Sequence, residues 1–196
     1  MGFKKFSYCL LSHRFDDMTA SCNLVLAGIL LRAFTKNHRR GRRVKVPYRF
    51  LVLGSDGHGG TIIDSGTTFT FLEIEAFEVV AQEFEMQMAH YRRAANVENQ
   101  SGLRLCFNIS GEKSLLLPEL VFHFKGGEKM ALPVADYFSF LGDSSTVCMT
   151  LVTDGVVELE IAVGSLIILG NFQQQNFYLE YDLENERLGF RKQICK

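Results

Sequence analysis

The sequence predicts a mainly β domain covered by one or two short helices. Hydrophobic residues make up 47% of the 196 residues, which is enough for a globular core. Only one stretch, residues 73–93, shows a clear helical period of apolar residues. Elsewhere short apolar runs alternate with Gly- and Pro-containing loops, a spacing typical of antiparallel strands. In the C-terminal half this punctuation falls at Pro118, Gly126, Gly127, Pro133 and Gly155.

Charge and length exclude several classes of protein. The chain has 21 basic and 22 acidic side chains and a net charge of −1, so no overall field attracts nucleic acid or an anionic membrane. No run of about 18 apolar residues is present, so we expect no membrane-spanning helix. Residues 1–9 lack the apolar core of a signal peptide, so none is expected in this chain.

The first 43 residues divide into two parts. Residues 1–26 contain two strand-like pieces, 5–11 and 23–26, around a polar turn. Residues 27–43 then change from apolar to basic, with Lys or Arg at five of the eight positions 36–43. Such a run could be a nuclear-localisation or nucleic-acid patch, but in a nearly neutral chain a solvated loop is the simpler interpretation.

The helical pattern at residues 73–93 indicates a helix that covers a sheet. Acidic residues fall towards its N-terminus, and Arg92 and Arg93 would lie at its C-terminus, which suits the helix dipole. We interpret its apolar stripe as core packing without a functional role. The stripe consists of Phe77, Val80, Ala81, Phe84, Met88 and Tyr91.

The cysteine and histidine patterns predict neither a metal site nor a cofactor. The five cysteines have no C-x-x-C spacing, and the five histidines lie in separate contexts. Separated cysteines fit a secreted, disulfide-bonded domain, with one thiol left over. Two Asn-x-Ser sequons, at Asn99 and Asn108, are compatible with the secretory route.

The stretch TIIDSGTTFT, residues 61–70, carries the candidate chemistry. An apolar strand ends at Ile63 and places the carboxylate of Asp64 at a turn. Ser65, Thr67 and Thr68 add hydroxyls beside it, and Gly66 permits close backbone approach. Taken alone, Asp-Ser-Gly is ordinary turn chemistry, so a purely structural turn is the competing interpretation.

Three elements in order resemble the pepsin-like aspartic proteases. The Asp-Ser-Gly-Thr-Thr segment is similar to their second active-site loop, and IILGNF, residues 167–172, resembles the segment that closes the ψ-shaped loop around the catalytic aspartate. Residues 173–182 and 187–190 resemble the last strands of the family. Residues 5–10, 117–127 and 173–176 are further similar to plant nepenthesin-type proteases, a group that includes pepsin-fold xylanase inhibitors.

The resemblance covers residues 3–26 and 44–195 and implies one pepsin-like lobe, a half-barrel. Residues 1–196 would form the C-terminal lobe, with the N-terminal lobe and its catalytic aspartate absent. Residues 27–43 do not resemble the family, so an edge of a sheet is expected to be left unpaired.

The resemblance also implies residue roles. Asp64 matches the second catalytic aspartate, Gly66 and Thr67 match residues that tie its loop to the partner loop, and Thr68 matches a neighbour that contacts the substrate backbone. Ser65 completes the active-site loop. The supporting residues are Ile168, Leu169 and Gly170; the implied disulfides are Cys106–Cys148 and Cys9–Cys195, leaving Cys22 as the free thiol.

The function implied is that of an aspartic endopeptidase with a peptide or protein substrate. With only one catalytic aspartate, the chain is expected to be inactive alone and to need an N-terminal lobe or a second copy. The alternative is a non-catalytic binding module or an inhibitor of the xylanase-inhibitor type. The family implies a secreted protein, extracellular or vacuolar.

Overall fold

The computed structural model describes residues 4–12, 32–36, 42–55, 59–124, 126–141, 145–153 and 167–195. Within these ranges the chain forms fifteen strands, three α-helices and two short 3₁₀ helices, at Val134–Asp136 and Asn171–Gln174. The helices are α1 (Tyr48–Leu51), α2 (Ile74–Gln87) and α3 (Ala95–Ser101). The strands are β1 (Lys5–Cys9), β2 (Arg32–Lys36), β3 (Arg42–Arg43), β4 (Thr61–Ile63), β5 (Thr70–Leu72), β6 (Arg92–Arg93), β7 (Cys106–Asn108), β8 (Glu119–His123), β9 (Lys129–Ala131), β10 (Phe138–Leu141), β11 (Thr146–Met149), β12 (Leu151–Val152), β13 (Ile167–Leu169), β14 (Phe177–Asp182) and β15 (Arg187–Lys192).

One buried sheet, with the strand order β12-β5-β13-β4, positions the residues of interest. Strand β13 runs parallel to β4, with Leu169 opposite Ile63, and antiparallel to β5, with Ile168 opposite Phe71. Every residue of β4, β5 and β13 is buried, on both faces of the sheet. The sequence of these strands therefore shows no alternation of apolar and polar residues. A strand distant in sequence is thereby inserted between two strands that a short loop connects.

The described residues form three further sheets, with the orders β1-β14-β15, β10-β11-β7-β6 and β3-β2-β8-β9. The prediction of a mainly β fold is confirmed. Disulfides connect Cys9 to Cys195 and Cys106 to Cys148, the two pairs that the resemblance implied.

Helix α2 covers the main core, as expected, but it ends earlier than the sequence indicated. Its N-terminus is capped by the carboxylate of Glu73, which accepts a hydrogen bond from the backbone N–H of Glu75. The prediction that the helix continues to Arg93 is wrong, because Arg92 and Arg93 form β6 and pair with β7. Met88 and Tyr91 lie in the turn between α2 and β6, and their side chains are buried. Their spacing from Phe84 is therefore the same as in a further turn of helix, although no helix is present there.

The described residues of the segment 27–43, for which the sequence suggested no family resemblance, form strands of a sheet. Residues 32–36 form β2, which lies between β3 and β8, so the expectation of an unpaired edge is wrong for this strand. The strand-like piece at residues 5–11 forms β1, which ends at Cys9, and Leu10 adds an isolated bridge to Gln175. The predicted piece at residues 23–26, and most of the basic run at 36–43, lie outside the described residues.

Candidate active site

Asp64 lies at the end of β4, in the loop that connects β4 to β5. Its backbone N–H donates to the carbonyl of Leu169, 3.0 Å away, and so extends the pairing of β4 with β13 by one bond. Because β13 is also hydrogen-bonded to β5, both ends of the loop are fixed to the same strand. The carboxylate therefore projects from a backbone that is held on both sides.

The carboxylate of Asp64 is oriented by donors from its own loop. Oδ1 accepts a hydrogen bond from the backbone N–H of Gly66 at 2.8 Å, and Oδ2 accepts one from Oγ1 of Thr67 at 2.7 Å. Each oxygen retains a further lone pair, and the residue is half-buried rather than enclosed. This geometry fixes the side chain and leaves it able to hydrogen-bond a substrate or a second carboxyl group.

The segment after β13 packs directly on this loop. A Cβ on Gly170 would lie 2.4 Å from the backbone carbon and oxygen of Phe69, so only glycine fits there. The next two backbone N–H groups, of Asn171 and Phe172, donate to the carbonyls of Thr67 and Thr68 at 2.7 and 2.9 Å. The sequence-predicted loop (residues 64–68) and its support (Ile168, Leu169 and Gly170) therefore form one unit.

Gln174 connects the loop to the sheet behind it. Its Nε2 donates to the carbonyls of Leu169 and Asp64, at 2.7 and 3.3 Å. Its Oε1 accepts a hydrogen bond from the hydroxyl of Tyr8, which is 3.0 Å from the hydroxyl of Tyr181. Burial raises the pKa of Tyr181, and the negative charge of Asp64 raises it further. Tyr181 therefore remains a neutral hydrogen-bonding group beneath Asp64.

Gln173 makes a second buried bridge. Its Oε1 accepts from the backbone N–H of Thr70 at 2.8 Å, while Nε2 donates to the carbonyl of Asp136 at 2.6 Å and to Oγ1 of Thr150 at 3.0 Å. Oγ1 of Thr70 in turn accepts from the backbone N–H of Gly170 at 3.1 Å. The backbone N–H at the start of β5 is thus satisfied by the side-chain amide of Gln173.

The roles of Gln173, Gln174, Tyr8 and Tyr181 were missed by sequence reasoning. The signal was present as three consecutive glutamines directly after an apolar, glycine-containing segment. All three are at most 1% exposed, and amides buried to this extent must find hydrogen-bond partners. The sequence could indicate such a network, but not which carbonyls it satisfies.

Metal ligation receives no support from the part of the chain that the structure describes. In those ranges no group of three or more His, Cys, Asp or Glu side chains is arranged to hold a metal ion. No described helix is long and apolar enough to span a membrane.

The chain matches one known protein family over most of its length. The family model described as "Xylanase inhibitor C-terminal" matches residues 37–192. The chain belongs to this family.

Plant proteins named as aspartic proteases are similar to this chain. A probable aspartyl protease of Arabidopsis thaliana is 36% identical over 164 residues, which cover 79% of this chain and 32% of that protein. Aspartic proteinase nepenthesin-1 of Nepenthes gracilis is 33% identical over 150 residues, which cover 76% of this chain and 31% of that protein. The chain thus spans about a third of the length of these two relatives.

Solved structures show the same fold at low sequence identity. The crystal structure of edgp aligns with 97% of this chain and 54% of the edgp chain, at a TM-score of 0.69 and 18% identity. Basic 7S globulin from soybean aligns with 97% of this chain and 52% of its own, at a TM-score of 0.65 and 16% identity. The pepsin-like lobe expected from the sequence is therefore the fold of this chain.

Proposed function

We propose that this chain supplies one of the two catalytic carboxylates of an aspartic endopeptidase, and that Asp64 is that carboxylate. The observation that carries the proposal is the orientation of Asp64 by Gly66 N–H and Thr67 Oγ1, in a loop fixed to Leu169 on β13. Relatives named as aspartic proteases support the same class of reaction.

The chemistry requires a second carboxylate close to Asp64. Two carboxylates a few ångströms apart cannot both ionise, so they share one proton. The ionised member takes a proton from a bound water as the water attacks the peptide carbonyl, and the protonated member donates to the carbonyl oxygen. Asp64 alone cannot fill both roles, so the second group comes from a separate half of the site, on an N-terminal lobe or a second copy.

The first experiment measures cleavage of a denatured protein substrate by the purified chain at acidic pH. We expect no pepstatin-sensitive cleavage by the monomer, with sedimentation establishing the oligomeric state. If two copies form the site, a dimer will cleave and Asp64→Asn will abolish its activity. The control is Glu112→Gln, which removes one charge from an exposed turn and should leave any activity unchanged. Cleavage by the monomer would refute the two-carboxylate proposal.

A second candidate function is that of a binding module. The matching family model is described as a xylanase inhibitor domain, which favours it specifically. The test is whether the immobilised chain retains a plant-cell-wall-degrading xylanase. Retention that persists in Asp64→Asn would favour the inhibitor function, because inhibition needs no catalytic carboxylate.

We propose a secreted location, extracellular or vacuolar. Two disulfides support it, because such bonds persist in oxidising compartments and are rare in the cytosol. Localisation of the tagged protein, expressed from its own gene in plant cells, tests the proposal; a cytosolic signal would contradict it.

A further inference from the structure

The two sequons of the chain have different local structures. Asn99 lies inside α3, whereas Asn108 is the last residue of β7 and precedes a turn. Both asparagines are exposed, so exposure does not distinguish them. The two sequons differ in the position of the serine relative to the asparagine.

In the turn after β7, the serine is in contact with the asparagine. Oδ1 of Asn108 accepts hydrogen bonds from the backbone N–H and from Oγ of Ser110, at 2.8 and 2.6 Å. Nδ2 of Asn108 donates to no partner among the residues that the structure describes, so this nitrogen is available. Two donors on Oδ1 draw electron density from the carbonyl and make an N–H proton of the amide easier to remove.

The surroundings of Asn108 leave room for a large substituent. Ser110 and the six residues after it are exposed. Gly111 has a φ of +82°, and a Cβ at this position would meet no heavy atom within 4 Å. Ile109, which points inward, is buried and anchors the turn through its N–H to Ser145 O. A substituent on Asn108 therefore extends into solvent while the turn beneath it stays fixed.

The helical sequon lacks this arrangement. Side chains two residues apart in a helix point in different directions, so Ser101 cannot reach Asn99. The hydroxyl of Ser101 instead donates to the carbonyl of Val97 at 2.8 Å and accepts from the N–H of Leu103 at 3.2 Å. Helix α3 is also anchored by Glu98, which accepts from the N–H of Cys106 at 2.7 Å.

We propose that Asn108 is an N-glycosylation site and that Asn99 is not modified. The donor is an oligosaccharide carried on a polyprenyl diphosphate. Nδ2 of Asn108 forms a bond to the anomeric carbon as the bond from that carbon to the diphosphate oxygen breaks. The polyprenyl diphosphate leaves, and the proton lost from Nδ2 passes to a base of the transferase. The proposal rests on the secretory location argued above.

The test translates the full chain behind an added signal peptide in the presence of endoplasmic-reticulum microsomes. Only chains protected from added protease are scored, so translocation is ensured and failure at Asn108 is distinct from failure of the proposed location. Peptide N-glycosidase in heavy-oxygen water then converts a glycosylated asparagine to a labelled aspartate, which mass spectrometry locates.

We expect the label at Asn108 alone, lost in Asn108→Gln and in Ser110→Ala. It should persist in Ser110→Thr, which keeps the hydroxyl, and in the matched control Asn99→Gln. Asn108 and Ser110 are both exposed, so their substitution should leave the fold intact and each variant reports on its sequon. Label at Asn99, or at neither asparagine, would overturn the proposal.

Discussion

At the scale of single residues, the site depends on a few atoms that hold the loop of Asp64 against β13. Gly170 allows two backbones to meet, and Gln174 satisfies carbonyls on both sides of that contact. Neither residue carries chemistry itself. Their effect on the carboxylate is positional, so their substitution should be visible in stability measurements that need no substrate.

Substitution of Gly170 by alanine should lower the free energy of unfolding by about 2 kcal/mol or more, because the new Cβ would overlap the backbone of Phe69. The measurement is the urea midpoint of the purified chain. Gly189→Ala is the matched control: its nearest contact would be 3.8 Å, so the change should stay within about 0.5 kcal/mol. Equal midpoints for the two variants would show that the close approach at Gly170 is absent.

Gln174→Leu should also destabilise the chain, by about 1–3 kcal/mol. The substitution removes one of the two donors to the buried carbonyl of Leu169, which keeps the N–H of Asp64, and it removes the amide oxygen that accepts from the Tyr8 hydroxyl. Gln100→Leu, at an exposed position of α3, is the comparison and should be nearly neutral. Should Gln174→Leu unfold at the same urea concentration as the parent, the amide bridge is not contributing.

At the scale of elements, β1 is connected to the C-terminal strands by several interactions. It pairs with β14, Lys5 forms an ion pair with Asp182 at 2.9 Å, and Cys9 is bonded to Cys195. Hydrogen bonds from Asn185 and Lys5 hold the pKa of Asp182 down at about 2, so this carboxylate stays charged in acid. Tyr8, on the same strand, donates a hydrogen bond to Gln174, so β1 is part of the support of the site.

Removal of the Cys9–Cys195 bond, as Cys9→Ser with Cys195→Ser, should lower stability by about 2–5 kcal/mol, because the bond closes a loop over most of the chain. Thermal unfolding of the double variant measures the loss. Cys22→Ser is the control, since Cys22 belongs to neither disulfide. An unchanged melting temperature in the double variant would mean that β1 is held without the bond.

At the scale of the whole molecule, a buried carboxyl couples stability to pH. Asp136 is 1% exposed, and its Oδ2 has no hydrogen-bond partner among the described residues. Burial raises its pKa from 3.8 to about 7, against a weaker opposing effect of Lys192. The carbonyl of the same residue accepts from Gln173, so the group lies behind the site.

The direction in which stability changes with pH depends on whether the folded or the unfolded chain binds more protons at Asp136. Between the unfolded and folded pKa values the folded chain binds the extra proton, so the contribution of Asp136 to stability falls as pH rises from about 4 to about 7. Asp136→Asn should flatten that part of the stability profile, measured as urea midpoints across the interval. A parent profile that rises steadily through this interval, unchanged by Asp136→Asn, would contradict the assignment.

The sequence predicted the parts of this fold that are local and periodic. The core positions of α2 and the strand before Asp64 follow from patterns within a few residues, whereas the glycine after β13 was identified through the resemblance to the pepsin-like family. The end of α2 at Gln87 could not be predicted from such local patterns, because Met88 and Tyr91 lie in the following turn and keep the apolar spacing of the helix. The amide bridges of Gln173 and Gln174 also escaped prediction, since their partners are up to 110 residues away and are mostly backbone carbonyls, which carry no sequence signal.

The central claim, that Asp64 is one of two cooperating carboxylates, is tested most directly in a hybrid. The N-terminal half of a nepenthesin-type relative is fused upstream of this chain, and hydrolysis of a denatured protein is measured at acidic pH. We predict pepstatin-sensitive hydrolysis that Asp64→Asn abolishes and Glu112→Gln leaves intact. A folded hybrid that hydrolyses nothing, or hydrolysis that survives Asp64→Asn, would contradict the claim.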